Sequence, residues 1–466
     1  MPNNQPLPAP TSAASPPLGA AAGAERGAAA GRRCRERIGR ADQGRWTPAP
    51  ARPDPVNALL AANAGRLAEL LPLKWGRMAA SPFAFFRGAA PLMAADLAGW
   101  PTTGLLVQLC GDAHVRNLGA YAAPDGHLVF DLNDFDETIV GPWEWDLKRL
   151  ATSFVLANRE AGGRDDKEGA AAVRQLVASY RAALGRFAGM RALELVSYEV
   201  RRHSKSGPVR AILQKAERAT AARTLQKLTE PPPGTGGNGL PRFHDQPPLL
   251  RHVPDEEAAK VLAALGPYRE TLGADRRQVL ALYRPADVAF KVVGTGSVGT
   301  RDYVVLLFGR GADDPLFLQV KEELPSCWAP HLPAGAAPGY ANQGQRVAEG
   351  QHRLQTVTDA FVGWTKLDGA DYLVRQLADH KAAVDPAELK GDALTEYALV
   401  CGEVLAKAHA RTGDAAALAA YCGRSSDRLD RALAEFALAY AGQTTRDHAA
   451  LVAAVRAGKV PATSGV

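Results

Sequence analysis

Two acid-bearing turns, separated by a single hairpin signal, constrain this chain more than any other feature of its 466 residues. Residues 105–110 form a short apolar run that ends at Gly111-Asp112, and the first turn continues through Ala113, His114, Val115 and Arg116 to Asn117. Residues 118–121 and 127–132 then flank Pro124-Asp125-Gly126, which predicts a hairpin. The second turn, Asn133-Asp134-Phe135-Asp136-Glu137, follows it directly. Next comes a helix with Leu147, Leu150, Ala151, Phe154 and Val155 on one face.

The residue types in these turns suit one chemistry. Phosphoryl transfer needs a carboxylate to orient an attacking hydroxyl and take its proton, with an oxygen ligand nearby for a metal on the phosphates. Asp112 and Asn117 stand five residues apart, the spacing of Asp and Asn in a kinase catalytic loop. Asp134 then falls where a kinase places its second metal-binding aspartate. Magnesium takes a few carboxylates plus phosphate oxygens, so an acidic turn here is chemically apt. Asp146, in Trp143-Glu144-Trp145-Asp146-Leu147, could cap the helix that starts beside it.

A kinase also needs a glycine-rich hairpin, a strand lysine and a glutamate to pair with it. Only helical segments and a tail precede residue 111, but all three parts occur downstream. Gly294, Gly296 and Gly299 lie in a loop between β-rich runs, where backbone N–H groups could approach phosphates. Lys321 closes a third β-rich run, and Glu349 on a following helix could pair with it. Residues 372–377 read as a hinge-like segment that could meet a purine. A helix through Tyr397, Val400, Val404 and Ala408 ends at His409. Taken from 287 to 409 and then from 105 to 155, the parts come in kinase order. The expectation is a circular permutation, since moving the termini to a surface loop can preserve a site.

Gly111-Asp112, His114, Asn117, Asp134-Phe135-Asp136 and Trp145-Asp146-Leu147 resemble the aminoglycoside-phosphotransferase and choline-kinase branch of the kinase-like superfamily. The resemblance implies that Asp112 is the catalytic base, that Asn117 and Asp134 bind magnesium, and that Asp146 props up the catalytic loop. It implies ATP as phosphate donor. Two departures stand: Cys110 replaces the family's histidine, and the longer interval to Asp134 leaves Asp131 and Asp136 as rival metal ligands. Residues 81–88, 110–117, 130–149, 346–351 and 359–364 are similar to the bacterial domain-of-unknown-function family 2252. Phe83, Phe85 and Phe86 read as core there, and Arg87 as an ion-pair partner or a phosphate contact.

Composition bounds the rest. Residues 1–52 hold eight arginines against three acids, so they carry five of the six net positive charges. A near-neutral body argues against a nucleic-acid partner. This Ala/Pro/Gly-rich stretch reads as a disordered tail over residues 1–53. Pro231 to Gly237 reads as a linker. Five dispersed cysteines form no C-x-x-C pair, and no apolar run is long enough to span a membrane, so the cytoplasm is the expected compartment. The expected fold is α+β and two-lobed, kinase-like and permuted. Its parts are a helical catalytic lobe from 54–245 and 385–466, and a β-rich nucleotide-clamping lobe at 246–384. The function expected is an ATP- and magnesium-dependent phosphotransferase acting on a small molecule or protein. A nucleotide-binding regulator or a nucleotidyl transferase are the alternatives.

Overall fold

The computed structural model describes residues 20–463 apart from 164, 201–205, 232–239, 293, 333–338 and 378–380. Most of the expected linker at 231–237, and residues 1–19, lie outside that set. The expected disordered tail is corrected from Ala20 onward, where helix α1 (Ala20–Arg37) begins. Its small residues permit a close approach that a search for large apolar side chains overlooks. A Cβ on Gly31 would lie 2.1 Å from the carbonyl oxygen of Ala417, in the helix formed by residues 415–422. Arg35 and Arg40 donate to the carbonyls of Ala420 and Cys422, at the end of that helix. Arg52 bridges Asp96 and Asp447 at 2.7 Å each. Three arginines of the basic stretch, Arg35, Arg40 and Arg52, therefore act as structural caps and bridges.

Asp54 caps α2 (Pro55–Ala62) by accepting from the Asn57 amide at 2.9 Å. Helices α3 (Leu71–Ala79) and α4 (Pro82–Gly88) follow, and Phe83, Phe85 and Phe86 of α4 are buried. The next strands are β1 (Leu106–Leu109), β2 (Leu118–Ala122), β3 (Leu128–Leu132) and β4 (Ile139–Pro142). β2 and β3 make the expected hairpin through Gly126, whose φ is +89°, and β4 returns antiparallel to β1. Helix α5 (Trp143–Glu160) is buried on all sides from Trp143 to Asn158, packed between α6 (Asp166–Phe187) and the C-terminal helices.

The β-rich region is a six-stranded antiparallel sheet. In chain order its elements are β5 (Leu250–His252), helix α7 (Asp255–Thr271), β6 (Arg284–Lys291), β7 (Asp302–Phe308) and β8 (Pro315–Glu322). Helix α8 (Gln343–Leu354), β9 (Gly363–Leu367) and β10 (Ala370–Gln376) complete it. The strand order is β9-β10-β8-β7-β6-β5. Leu318 and Val320 of β8 pack with Val261 and Tyr268 of α7 in one apolar cluster. Alternation along the strand turns Phe317, Gln319 and Lys321 to the other face. Residues 372–376, expected to be hinge-like, are strand; the chain leaves the sheet after them, and β11 (Ala382–Ala383) pairs with β2 of the hairpin. Helices α9 (Asp392–Thr412), α10 (Ala415–Cys422) and α11 (Arg428–Arg456) finish a second, larger core with α5 and α6. The fold is α+β with antiparallel sheets. Among the described residues no helix is long and apolar enough to cross a membrane.

Candidate functional site

The loop after β1 is tied down from beneath. Gly111 has φ +84°, and a Cβ there would lie 2.1 Å from the Glu137 carbonyl oxygen, so this position needs glycine. The buried Asp146 carboxylate accepts from the amides of Cys110 at 2.7 Å and Gly111 at 3.0 Å. Its own neighbour is His409 of α9, which also meets the Tyr180 hydroxyl at 2.8 Å.

Asp112 therefore emerges from a rigid turn. Its Oδ1 accepts from Arg149 Nε at 2.6 Å, and the same guanidinium donates to the Phe86 carbonyl at 3.0 Å and lies over the Phe86 ring. Arg149 is completely buried. Burial raises the proton affinity of Asp112, and Arg149 opposes this. The other oxygen, Oδ2, is 3.7 Å from His114 Nε2. Burial, then Arg87, Arg149 and Arg116, holds the His114 ring well below its ordinary pKa, so it is neutral. Asn117 donates its side-chain amide to the Asp112 carbonyl at 2.9 Å.

The second turn separates its three aspartates. Asp131 is buried in an ion pair with Lys407 of α9, outside the cleft, which removes it as a metal ligand. Asp134 faces the cleft, and burial together with the neighbouring Asp136 pushes it up to about 6. Asp136 is ion-paired through Oδ2 with Lys321. Burial opposes its charge, but Lys321 outweighs burial and holds it at about 2. Its Oδ1 is buried and, among the described residues, has no hydrogen-bond partner beyond a protonated Asp134.

Lys321 has a different partner from the one expected. Its ammonium sits between Asp136 and Glu323, the latter at 3.5 Å. Glu349 does lie on α8, but it is bonded to Arg353 and Gln345, each at 2.9 Å. The link from α8 to the acidic turn is Arg346 instead, which donates to the carbonyls of Asp136 at 2.8 Å and Thr138 at 2.6 Å. Beside Lys321, Gln319 donates to Asp302 at 2.7 Å and accepts from Arg375 at 2.9 Å.

Gly294 and Gly296 line the cleft with Lys321, whereas Gly299 lies behind Arg66 and does not. The carbonyls of this loop point towards α3 and the residues before it. Arg66 donates to Gly296 at 3.0 Å and Val298 at 2.9 Å, Lys74 to Gly296 at 2.6 Å, and Arg77 to Gly294. Arg87 also lines the cleft and, among the described residues, makes no ion pair; its Nε is buried without a partner. Thus one cleft brings together Asp112, Asn117, Asp134, Gly294, Gly296 and Lys321, and leaves out Gly299 and Glu349.

Sequence reasoning missed Arg149, Arg66 and Lys74. Arg149 had a signal, since it stands one turn after Asp146 on the same helix. Arg66 and Lys74 had none, because their partners are more than 200 residues away.

Residues 66–454 match the family model described as "Uncharacterized protein conserved in bacteria (DUF2252)". The chain belongs to this family. Every cleft residue from Arg66 to Lys321 falls inside the span matched to the DUF2252 family, and α1 falls outside it. No curated protein and no solved structure matches the chain.

Proposed function

We propose that the cleft is the active site of an ATP- and magnesium-dependent phosphotransferase, with kinase-like parts in circularly permuted order and the sheet and the helical core as its two lobes. One observation carries the reading. The Asp112–Asn117 loop and the Asp134–Asp136 turn share a cleft with Gly294, Gly296 and Lys321, although 185 residues separate Asp136 from Lys321.

In this reading Asp112 takes the proton of the acceptor hydroxyl while that oxygen bonds to the terminal phosphorus of ATP. The bond from that phosphorus to the bridging oxygen breaks, and ADP leaves. Arg149 fixes Oδ1 and leaves Oδ2 for the proton, and burial gives Asp112 the raised proton affinity that suits a base. Lys321 and the backbone of the 294–297 loop receive phosphate oxygens. A phosphate entering the cleft competes with Asp136 for the Lys321 ammonium.

The residues present fit magnesium. The Asn117 side chain and the Asp134 carboxylate, both lining the cleft, offer oxygen donors. Among the described residues no group of three or more His, Cys, Asp or Glu could hold a metal alone. Asn117 and Asp134 would hold it, and when bound it neutralises phosphate charge.

The test is nucleotide binding followed by transfer. ATP with magnesium should raise the melting temperature of the wild type by mass action, and Lys321→Ala should reduce that gain. Equal gains in both proteins would remove Lys321 from the site. Tight binding without ADP release or self-phosphorylation, unaltered by Asp112→Asn, would make the protein a nucleotide-binding regulator.

A further inference from the structure

The cleft has a second wall that the phosphotransfer reading does not use. It comes from residues 62–91 and contributes Arg66, Lys74 and Arg87, with no acidic residue. Lys74 is only 2% exposed, yet among the described residues its one hydrogen-bond partner is the Gly296 carbonyl. Arg66 reaches two carbonyls through Nη1, while its Nε is buried with no partner. Arg87 Nε is in the same state.

Of the six acids across the cleft, five have partners of their own, with Glu323 sharing Lys321. Asp134 makes no ion pair among the described residues and, with Asp112, attracts Arg87. Asp112 holds Arg149, Asp136 holds Lys321, Glu322 holds Arg301, and Glu137 accepts from the Cys327 amide at 2.6 Å. Some buried cations elsewhere are paired with carboxylates, as in Arg181–Asp430 and Lys407–Asp131, whereas Arg346 is held by carbonyl and amide oxygens. Leaving a buried cation without a counter-charge is costly. Lys74 is buried and Arg66 and Arg87 are half-buried on one wall. The two arginines each have a buried Nε with no partner among the described residues, and this set suits an anion that arrives from solution.

We propose that Arg66, Lys74 and Arg87 form an anion subsite, and that the acceptor is a small hydroxyl compound carrying a phosphate or carboxylate. The word acceptor rests on the phosphotransfer reading; the anion subsite does not. The wall stands beside Asp112 and His114, so an anionic group held there places a neighbouring hydroxyl near the Asp112 carboxylate. Polyamines and quaternary amines, which such a wall repels, are the wrong class.

Calorimetric titration of the full chain without nucleotide, in phosphate-free buffer, tests this. The probes are glycerol 3-phosphate, glycerate, glycerol and choline. The two anions should bind and the other two should not, and the stronger anion tells phosphate from carboxylate. Arg87→Ala should weaken anion binding by about 10- to 100-fold, the worth of a charge-assisted hydrogen bond, and Arg87→Lys by less. Lys74→Met supplies a second variant.

Absence of anion binding overturns the proposal. So does loss on Lys321→Ala with none on Arg87→Ala. Arg87→Ala weakening ATP–magnesium as strongly as glycerol 3-phosphate would also overturn it, by assigning the wall to the nucleotide. Anion binding that needs Arg87, in a protein that ignores ATP, would keep the subsite and remove the phosphotransfer reading.

Discussion

The floor and the wall of the cleft are both heavily charged, but they are built on opposite rules. On the floor, Asp112 and Asp136 each hold a buried cation, and Arg149 is further fixed by the Phe86 carbonyl and ring. On the wall, among the described residues, Arg66 and Lys74 hydrogen-bond to carbonyl oxygens alone and Arg87 Nε has no partner. A paired buried charge is part of the scaffold, and removing either member leaves the other stranded. An unpaired one stores a free donor for a ligand, and removing it spares the scaffold. Lys74 is as buried as Lys321, so burial alone does not separate these two; the identity of the partner does.

The sharpest way to break this comparison is on the floor. Asp112→Asn keeps size and polarity but removes the proton acceptor, so turnover should fall by about 10²–10⁴-fold with ATP affinity nearly unchanged. An assay of ADP release or self-phosphorylation reads this without naming an acceptor. The next largest effect is on stability. Arg149→Ala strands the Asp112 carboxylate and should cost roughly 3–5 kcal/mol in urea unfolding. Arg87→Ala should stay within about 0.5 kcal/mol of wild type. Equal losses in these two variants would erase the distinction between floor and wall.

A smaller, pH-dependent effect tests Asp302, which faces Lys321 across the sheet and has one oxygen without a partner. Burial raises its pKa from 3.8 to about 7, against the pull of Lys321. The stability it contributes is present below its ordinary pKa and is lost as pH rises through about 7. Asp302→Asn cannot ionise, so its stability relative to wild type should grow across that window, by on the order of 2 kcal/mol. Urea melts at about pH 5 and about pH 8 would show it; a constant difference would mean that Asp302 is not forced towards neutrality. The smallest effect belongs to a cation that caps a helix. Arg40→Ala loses one hydrogen bond to the Cys422 carbonyl and should cost about 1 kcal/mol, with ligand binding untouched.

The sequence made the elements carrying the site legible because each has a local signature. The Gly126 turn, the buried face of α5 and the runs that became β6, β7 and β8 are written in consecutive residues. Asp112, Asn117, Asp134, Gly294, Gly296 and Lys321 were found through spacing, and they do line one cleft. Partners were harder. Glu349 sits on a helix as expected, yet that helix presents Arg346 to the acidic turn, and Lys321 takes Asp136 and Glu323. Which carboxylate meets a lysine depends on strand register and helix rotation, and spacing does not encode these. The order of α1 was hidden for another reason. Its glycines look like disorder until the backbone they press against, at Ala417, is known.

The ion pair between Asp131 and Lys407 spans 276 residues, and the contact from Asp146 to His409 spans 263. During synthesis the acidic member of each leaves the ribosome long before its basic counterpart exists. At about 5–20 residues per second the wait for Lys407 is roughly 14–55 s. Through that interval Asp131 has no counter-charge, so the centre of the future helical core stays wet and the hairpin cannot seat. Helix α9, which delivers both Lys407 and His409, thereby acts as a latch on the nascent chain. The half that carries the Asp112 loop is made first, but it cannot close until α9 has followed.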